Sequence, residues 1–464
     1  MVKMRIHSIE LRARRPWCSH GSVSLVGWLA ALTLLVSAPL AAQEYERAPV
    51  RWSDSEPQDD VAALRELLES GEVTLAGGGR ELLDQLLEVF DVPVSSQVLV
   101  FSRTSLQRSR ISPRTPRAVY FNDRVYVGWV PGGAVELATM DPQLGTVFYL
   151  VEPPAPARAQ EADDDRRPQP QFIRDRECMS CHGGMFVREV PGLFVRSVFS
   201  TSGGDPLFQH GSEVVDHRTP FSVRWGGWYV TGQHGDEPHR GNVFASDSGG
   251  GLEVDLEAGS NVTDLSPLVN LAGYPAATSD IVALMVMEHQ MAMHNALTRA
   301  QLRGRYMLHY QAALQREMGE EVTGEPTLDS VIRVMDDLAQ EVVDLLLFKD
   351  EAALPKGGVQ GDDQFVEDYQ RHARRDSTGR SLRDFNLRTR LMQNRCSPLI
   401  DSELFAALPD VVKERVYERL AVALDPDEAD PRYRHLGQAE RQRIAAILRE
   451  THEGLPPGWL LPEG

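Results

Sequence analysis

Two cysteines and a histidine, Cys178, Cys181 and His182, stand at the spacing Cys-x-x-Cys-His. Two thiols separated by two residues match the two vinyl groups of haem, to which they can add as thioethers. The histidine follows at once because its ring must stand beneath the iron as an axial ligand. The motif therefore predicts one covalently attached haem c, with Cys178 and Cys181 as the attachment points and His182 as the proximal iron ligand.

Other uses of a Cys-x-x-Cys pair fit this sequence less well. A thioredoxin-like dithiol needs a βαβ setting, whereas this pair follows a proline-rich stretch and precedes Gly183 and Gly184. A zinc site needs a second pair of cysteines or histidines, and neither Cys18 nor Cys396 belongs to one. Four cysteines in the whole chain provide no disulfide framework. We expect Cys396 to be a small buried residue without a redox role.

The group on the far side of the iron decides whether such a haem carries electrons or binds ligands. A helix predicted to begin after an N-cap at Ser279 carries His289 on its packing face, and His289 is the candidate distal ligand, with His294 as an alternative. The competing interpretation is a core histidine satisfied by hydrogen bonds. Met185 lies too close to His182 in the chain to reach the opposite face. A second group of candidates lies in loops after the motif: His210, His217, His234 and His239.

Arginines and aromatic residues near the motif could contact the haem. A guanidinium can bind a propionate through two parallel hydrogen bonds, although a solvated loop is the alternative interpretation. Trp225, Trp228 and Tyr229 could pack on the porphyrin or serve as ordinary core aromatics. The arginines are Arg103, Arg108, Arg110, Arg114 and Arg117, with Arg174 and Arg176 flanking the motif.

The elements that must position the motif change character along the chain. Apolar residues at helical spacing predict a helix pair over 61–68 and 80–90, and four strand-like segments follow between 97 and 151. Shorter strand-like pieces in loops continue to 273, and long helical runs begin after Ser279. We predict an α+β fold with an antiparallel-strand-rich N-terminal and central part around the haem motif, followed by a mainly helical C-terminal part.

The predicted elements divide the chain of 464 residues into five segments. The segments are residues 1–42 as a signal peptide, 43–152 as a helix pair followed by antiparallel strands, 153–170 as a loop or linker, 171–278 as the haem c attachment region with mixed strands and loops, and 279–464 as a helical C-terminal domain.

The first 42 residues have the order of a secretory signal peptide. A basic stretch precedes an apolar run over 25–36, and small residues lead to a cleavage site near Ala41 or Ala42. The apolar run is shorter than the roughly 20 residues that span a bilayer, so cleavage is favoured over an anchor. We expect a periplasmic or secreted protein with no stable membrane span after cleavage.

The net charge of −19 argues against nucleic acid as a partner, because binding to phosphates needs a basic surface. The remaining partners are a redox partner protein or a small-molecule electron donor or acceptor.

Beyond the motif, the chain resembles the large exported mono-haem proteins of bacteria that are described as cytochrome c domain-containing proteins. The resemblance rests on the motif and on four stretches at 111–117, 120–129, 224–232 and 379–385, and it covers most of the chain after residue 42. It implies haem binding and electron transfer, and it assigns a role only to the three residues of the motif. The chain has no second Cys-x-x-Cys-His, unlike di-haem peroxidases and multi-haem reductases.

These observations lead us to expect an exported c-type cytochrome with one covalent haem that transfers single electrons. A mono-haem enzyme of peroxidase- or oxidase-like type, acting on a small molecule, is the alternative because the chain is far longer than one haem requires. A haem-based sensor is a more distant alternative, since no output module is recognisable. Whether the protein is an enzyme stays open from the sequence.

Overall fold

A six-stranded antiparallel sheet and a long buried helix lie at the centre of the fold. The computed structural model describes residues 43–154, 169–249, 251–427 and 430–459. The predicted signal peptide and most of the predicted linker lie outside these ranges. The described residues from Glu44 onward form one compact unit.

The six strands pair with their neighbours in chain order. They are β1 (Val98–Val100), β2 (Arg117–Phe121), β3 (Val125–Trp129), β4 (Val135–Asp141), β5 (Gly145–Glu152) and β6 (Gln171–Arg174). Two small two-stranded sheets follow, formed by β7 (Val195–Ser197) with β8 (Glu213–Val215) and by β9 (Ser246–Asp247) with β10 (Leu252–Glu253).

The hairpin between β2 and β3 turns at Asn122. The Asn122 side-chain oxygen accepts hydrogen bonds from the backbone N–H groups of Arg124 and Val125. The asparagine side chain thus provides an acceptor for backbone N–H groups that have no strand partner where the chain reverses direction.

Each face of the sheet has a different covering. Alternate side chains on a strand point to opposite faces, so the strand register places Gly128, Glu136 and Leu150 in one row of a single face. On the opposite face, Thr139 and Tyr149 both donate to the carboxylate of Asp59, which caps the first helix. The N-terminal helices therefore cover one face of the sheet, and the opposite face points toward the centre of the molecule.

The described residues contain nine α-helices. They are α1 (Asp60–Ser70), α2 (Arg80–Val89), α3 (Met179–His182), α4 (Ile281–Met318), α5 (Asp329–Leu346), α6 (Asp363–Gln370), α7 (Glu403–Ala406), α8 (Asp410–Leu424) and α9 (Gln438–Thr451). None of the helices in the described ranges combines the length and the apolar character that crossing a membrane requires.

The longest helix, α4, begins one residue later than predicted. Its N-cap is Asp280, whose side chain accepts hydrogen bonds from the N–H groups of Val282 and Ala283 at 2.9 Å. The predicted cap, Ser279, instead bridges two other segments, since its hydroxyl accepts from Leu99 N and donates to Tyr229 O. The predicted N-cap was wrong because the Ser279 hydroxyl forms hydrogen bonds with backbone groups that are distant in the chain.

The α+β prediction is confirmed: the N-terminal and central part contains the sheet, and the C-terminal part is mainly helical. Helix α4 contributes its N-terminal half to the core around the sheet and its C-terminal half to a second core among the C-terminal helices. The apolar stripe of α5 packs inside this second core. Its members are Val331, Met335, Leu338, Val342 and Leu345.

Three details of the strand assignment were wrong. Strands β4 and β6 were not predicted, and one of the shorter strand-like pieces, predicted over 225–231, is not a strand in the structure. Strand β4 contains Glu136 and Ala138, which have low strand propensity, and pairing with both neighbours stabilises it regardless. Positive φ angles at Trp225 and Gly227 interrupt the expected strand and leave isolated bridges.

Candidate functional site

The motif lies on one short helical stretch after strand β6. A 3₁₀ turn, Arg176–Cys178, leads directly into α3, Met179–His182. Asp175 caps this stretch by accepting a hydrogen bond from Glu177 N at 2.8 Å. Residues three and four positions apart lie on the same side of a helical turn, so Cys178, Cys181 and His182 present their side chains together.

His182 is held through one ring nitrogen, and no residue in the described ranges bonds to the other. Its Nδ1 lies 2.8 Å from the carbonyl oxygen of Gly192, and a carbonyl can only accept, so Nδ1 carries the proton. The neutral ring then has its lone pair on Nε2, which is the arrangement of a metal-ligating imidazole. The ring packs beside Phe148 and Phe194, with centroids 4.8 and 5.5 Å away. Burial lowers the pKa of His182, which favours the neutral form that can coordinate a metal.

Helix α4 supports the carbonyl that orients His182. The Asn295 side chain accepts from Leu193 N at 2.9 Å and donates to Leu193 O at 2.6 Å. Gly192 is glycine for a steric reason, because a Cβ there would collide with Asn295 Oδ1. Asn295 therefore fixes the segment 192–193, and through Gly192 it fixes the His182 ring.

Cys178, Cys181 and His182 line one cavity of about 690 Å³. This volume lies within the range of about 300–1,000 Å³ that is usual for small-molecule and cofactor sites. Much of its wall is the sheet face opposite α1 and α2. The sheet residues are Arg117, Val119, Tyr126, Gly128, Glu136, Ala138, Phe148 and Leu150.

The two motif cysteines are free thiols with different exposure. Cys178 is half-buried, and Cys181 is exposed. Burial, together with the charges of Asp175 and Glu136, raises the pKa of the Cys178 thiol to about 12. Cys178 is thus a neutral thiol at the cavity wall, and Cys181 stands at its mouth. Cys396 is a third free thiol, fully buried as the sequence analysis expected.

The cavity offers sulfur rather than nitrogen as a second protein ligand. Among the described residues, His182 is the one histidine in its lining, and two methionines accompany it. Met291, on α4, is only 6% exposed, whereas Met185 is 79% exposed beside the motif. Met291 is therefore the buried thioether that faces the cavity.

The structure does not bring His289 to this cavity. Its Nδ1 lies 3.2 Å from His217 Nδ1, and its Nε2 lies 2.9 Å from Ser397 Oγ. The ring also stacks on Phe348 with centroids 3.9 Å apart. Both ring nitrogens have partners, so His289 matches the competing interpretation of a satisfied core histidine. Its placement gives no support to a distal ligand role.

The remaining candidate histidines also lie outside the cavity lining. His294 Nδ1 is 3.1 Å from the Tyr126 hydroxyl, so His294 reaches the cavity only through that tyrosine. His234 and His239 pack on each other with centroids 4.7 Å apart. His210 pairs with Asp247 at 3.0 Å on the surface. None of them stands where it could face His182 across the cavity.

Two of the candidate arginines line the cavity, Arg108 and Arg117. Arg117 forms an ion pair with Glu136, in which Nε donates to Oε2 at 2.8 Å. It crosses strand β3 at Gly128, where a Cβ would collide with the guanidinium. Arg196, on β7, also lines the cavity, and the sequence analysis missed it.

The other flanking candidates point elsewhere. Arg174 donates to the backbone carbonyls of Ser55 and Trp52, so it braces the N-terminal segment. Of the three candidate aromatics, Trp228 lines the cavity, whereas Trp225 and Tyr229 are buried in the core outside it.

Comparison of the chain with protein-family models, with curated proteins and with solved structures found no match. The interpretation of the cavity therefore depends on its own residues.

Proposed function

We propose that this protein is a c-type cytochrome that binds one haem through Cys178 and Cys181 and transfers single electrons. The observation that carries the proposal is that both thiols and His182 line one cavity, with His182 Nδ1 bound to Gly192 O. This hydrogen bond leaves Nε2 as the nitrogen that would reach the iron.

The cavity residues fit a haem in three respects. The two thiols stand at the motif spacing on one side of a helical turn, so both can reach the same macrocycle. The imidazole is neutral and oriented. Phe148, Phe194, Val119 and Leu150 supply apolar contact for a porphyrin. The bound iron would supply one-electron chemistry between its ferrous and ferric states.

The attachment can be tested by replacing both motif cysteines. In a Cys178→Ala, Cys181→Ala variant, we expect complete loss of haem-stained protein after denaturing electrophoresis, at equal total protein. Cys396→Ala is the matched control, because it removes a thiol far from the cavity, and it should retain the stain. A stain that survives in the double variant would falsify the proposal.

A second candidate function is a mono-haem enzyme that acts on a small molecule. The observation that favours it is the charged pair Arg117–Glu136 on the cavity wall. Paired charges at an open iron site could stabilise a bound anion or move a proton. This function requires a free coordination position.

The coordination state separates the two functions. Carbon monoxide added to the reduced protein and cyanide added to the oxidised protein should leave the absorption spectrum unchanged for an electron carrier. Rapid spectral changes with either ligand would support the enzyme. If Met291 is the second protein ligand of the iron, the Met291→Leu variant should bind carbon monoxide and cyanide, and its spectrum should change when either is added.

We also propose that the protein is exported, on the basis of the signal-like order of residues 1–42. Cell fractionation should recover the haem-stained protein from the periplasm or the medium. Recovery from the cytoplasm would contradict this part of the proposal. The partner would be a redox protein or a small-molecule donor or acceptor.

A further inference from the structure

Arg196 is held rigidly at the edge of the cavity. Its guanidinium carbon lies 4.7 Å from the ring centroid of Phe186 and 4.6 Å from that of Phe208. Its Nε donates to Ser212 Oγ at 2.6 Å, and its backbone carbonyl accepts from Trp228 Nε1 at 2.8 Å. Stacking on two rings and a bound Nε orient the two terminal nitrogens of the guanidinium in advance.

This guanidinium lacks a counter-ion within the part of the chain that the structure describes. No carboxylate there lies within ion-pair distance of Arg196, and neither of its terminal nitrogens donates to a protein atom. Arg117, in the same cavity, is paired with Glu136. A half-buried cation without a partner is costly, and a bound anion would reduce that cost.

The haem carboxylates do not suit this position. Arg196 stacks on Phe186, which follows the motif closely in the chain, and it shares the cavity lining with Cys181, so the guanidinium lies on the motif side of the cavity. In haem, the vinyl-derived thioethers and the propionates lie on opposite edges of the macrocycle. This step depends on the proposed function: a haem attached through Cys181 would direct its propionates away from Arg196.

The surface around Arg196 is open and apolar. Phe186 is 39% exposed, Phe208 49% and Met185 79%. Cys181 is also exposed at this mouth. A ligand at the guanidinium would therefore meet apolar side chains next to its anionic group.

We propose that Arg196 binds an external small organic acid, in which a carboxylate stands next to an aromatic or apolar group. The carboxylate accepts two hydrogen bonds from the terminal nitrogens of Arg196. The apolar part lies against Phe186 and Phe208. The ligand is then adjacent to the thioether edge of the haem.

Isothermal titration of the haem-loaded protein with benzoate, at low ionic strength, tests this site. We expect Arg196→Gln to weaken benzoate binding by about 10- to 100-fold, because hydrogen bonds to charged groups contribute roughly 1.5–3 kcal/mol. Arg196→Lys should have an intermediate affinity for benzoate, because lysine keeps the positive charge but cannot donate two parallel hydrogen bonds to one carboxylate. Acetate should bind more weakly than benzoate. Arg103→Gln is the matched control, because Arg103 pairs with Asp205 on the surface, and it should bind benzoate like the unmodified protein.

Equal benzoate affinity in the unmodified protein and in Arg196→Gln would overturn the proposal. It would also be overturned if Arg196→Gln changed only the pH dependence of the haem potential, since Arg196 would then hold a propionate. Equal affinities for benzoate and acetate would overturn the assigned ligand class. Haem staining of the same samples reports the proposed function separately, so a protein without covalent haem would be recognised independently of the titration.

Discussion

His182 and His289 are both histidines on helices near the centre of the molecule, yet only one is available to a ligand. His182 gives one ring nitrogen to Gly192 O and leaves the other at a cavity. His289 has partners at both nitrogens and an aromatic ring stacked on its face. A histidine is thus available to a ligand only where one of its ring nitrogens is left without a hydrogen-bond partner.

The surroundings of the two histidines extend this contrast. His182 stands at a cavity wall with two free thiols and with the guanidinium of Arg196, which pairs with no carboxylate among the described residues. One residue before His289, the carboxylate of Glu288 pairs with Arg224 and accepts from Trp225 Nε1. We call His217, Arg224, Trp225, Glu288 and His289 the buried cluster. Glu288 and His289 have hydrogen-bond partners within it or beside it, and we assign the cluster to stability.

The largest difference is expected when each of these two histidines is replaced in turn. His182→Ala should abolish the absorption spectrum of a histidine-ligated haem, because the proximal ligand is lost. His289→Gln should leave the spectrum unchanged. Absorption spectra of both oxidation states provide the measurement. A changed spectrum in His289→Gln would mean that His289 acts on the iron after all.

The next largest effect is expected in the buried cluster. Glu288→Ala leaves the Arg224 guanidinium without its partner at a site where both side chains are almost fully buried. Breaking such a pair costs about 3–5 kcal/mol in the free energy of unfolding. Urea denaturation followed by circular dichroism measures this loss.

Asp84→Ala is the control for Glu288→Ala. It removes a surface pair with Arg80, and it should cost less than about 1 kcal/mol. Similar losses in the two variants would show that the buried pair contributes no more than a surface pair.

Acid should destabilise the buried cluster through His217. Burial lowers the pKa of His217 from 6.5 to about 4, and the opposing charge of Asp216 does not overcome this. Between these values the unfolded chain binds a proton that the folded chain does not bind. The contribution of His217 to the free energy of unfolding should therefore be complete above pH 6.5. It should fall by up to about 3 kcal/mol as the pH decreases to 4.

His217→Gln should reduce this dependence on pH, and denaturation curves at pH 7, 5.5 and 4.5 would show it. The slope should not disappear, because the pKa values of the buried His239 and His294 are also lowered, mainly by burial. The exposed His372 is a suitable control for substitution to Gln. An identical slope in the His217 variant would contradict the assignment.

The smallest expected effect concerns the support of His182. Asn295→Ala removes two hydrogen bonds to Leu193 and should cost about 1–3 kcal/mol of unfolding free energy. Covalent haem should be retained, but the spectrum should change because the His182 ring loses its fixed orientation. Asn295→Asp keeps the acceptor for Leu193 N and should be intermediate. An unchanged spectrum in Asn295→Ala would leave Asn295 with a purely structural role.

Several features of the fold were predictable because short segments specify them. The Asn122 turn needs only its own side chain and the next few backbone groups. The leucines of α2 recur at helical spacing and are buried as that spacing predicts. Strand β4 was missed because its stability comes from two neighbouring strands and not from its own residues.

The position of the candidate site on the chain was predictable, but its walls were not. A helix that is apolar on more than one face, as α4 is, does not indicate which residue faces a cavity. The contact between Asn295 and Leu193 joins residues 102 positions apart, and no local sequence pattern predicts such a contact. The same holds for Arg196, whose stacking partners, Phe186 and Phe208, lie in two separate 3₁₀ turns.

The spacing of Cys178, Cys181 and His182 follows from the sequence, and within a helical turn this spacing places the three side chains on one side. Their common cavity with Met291, Arg117 and Arg196, from which His289 is absent, follows from the tertiary structure. The physical reason is that the motif geometry depends on bonds within five residues, whereas the availability of a ligand depends on which distant groups satisfy it.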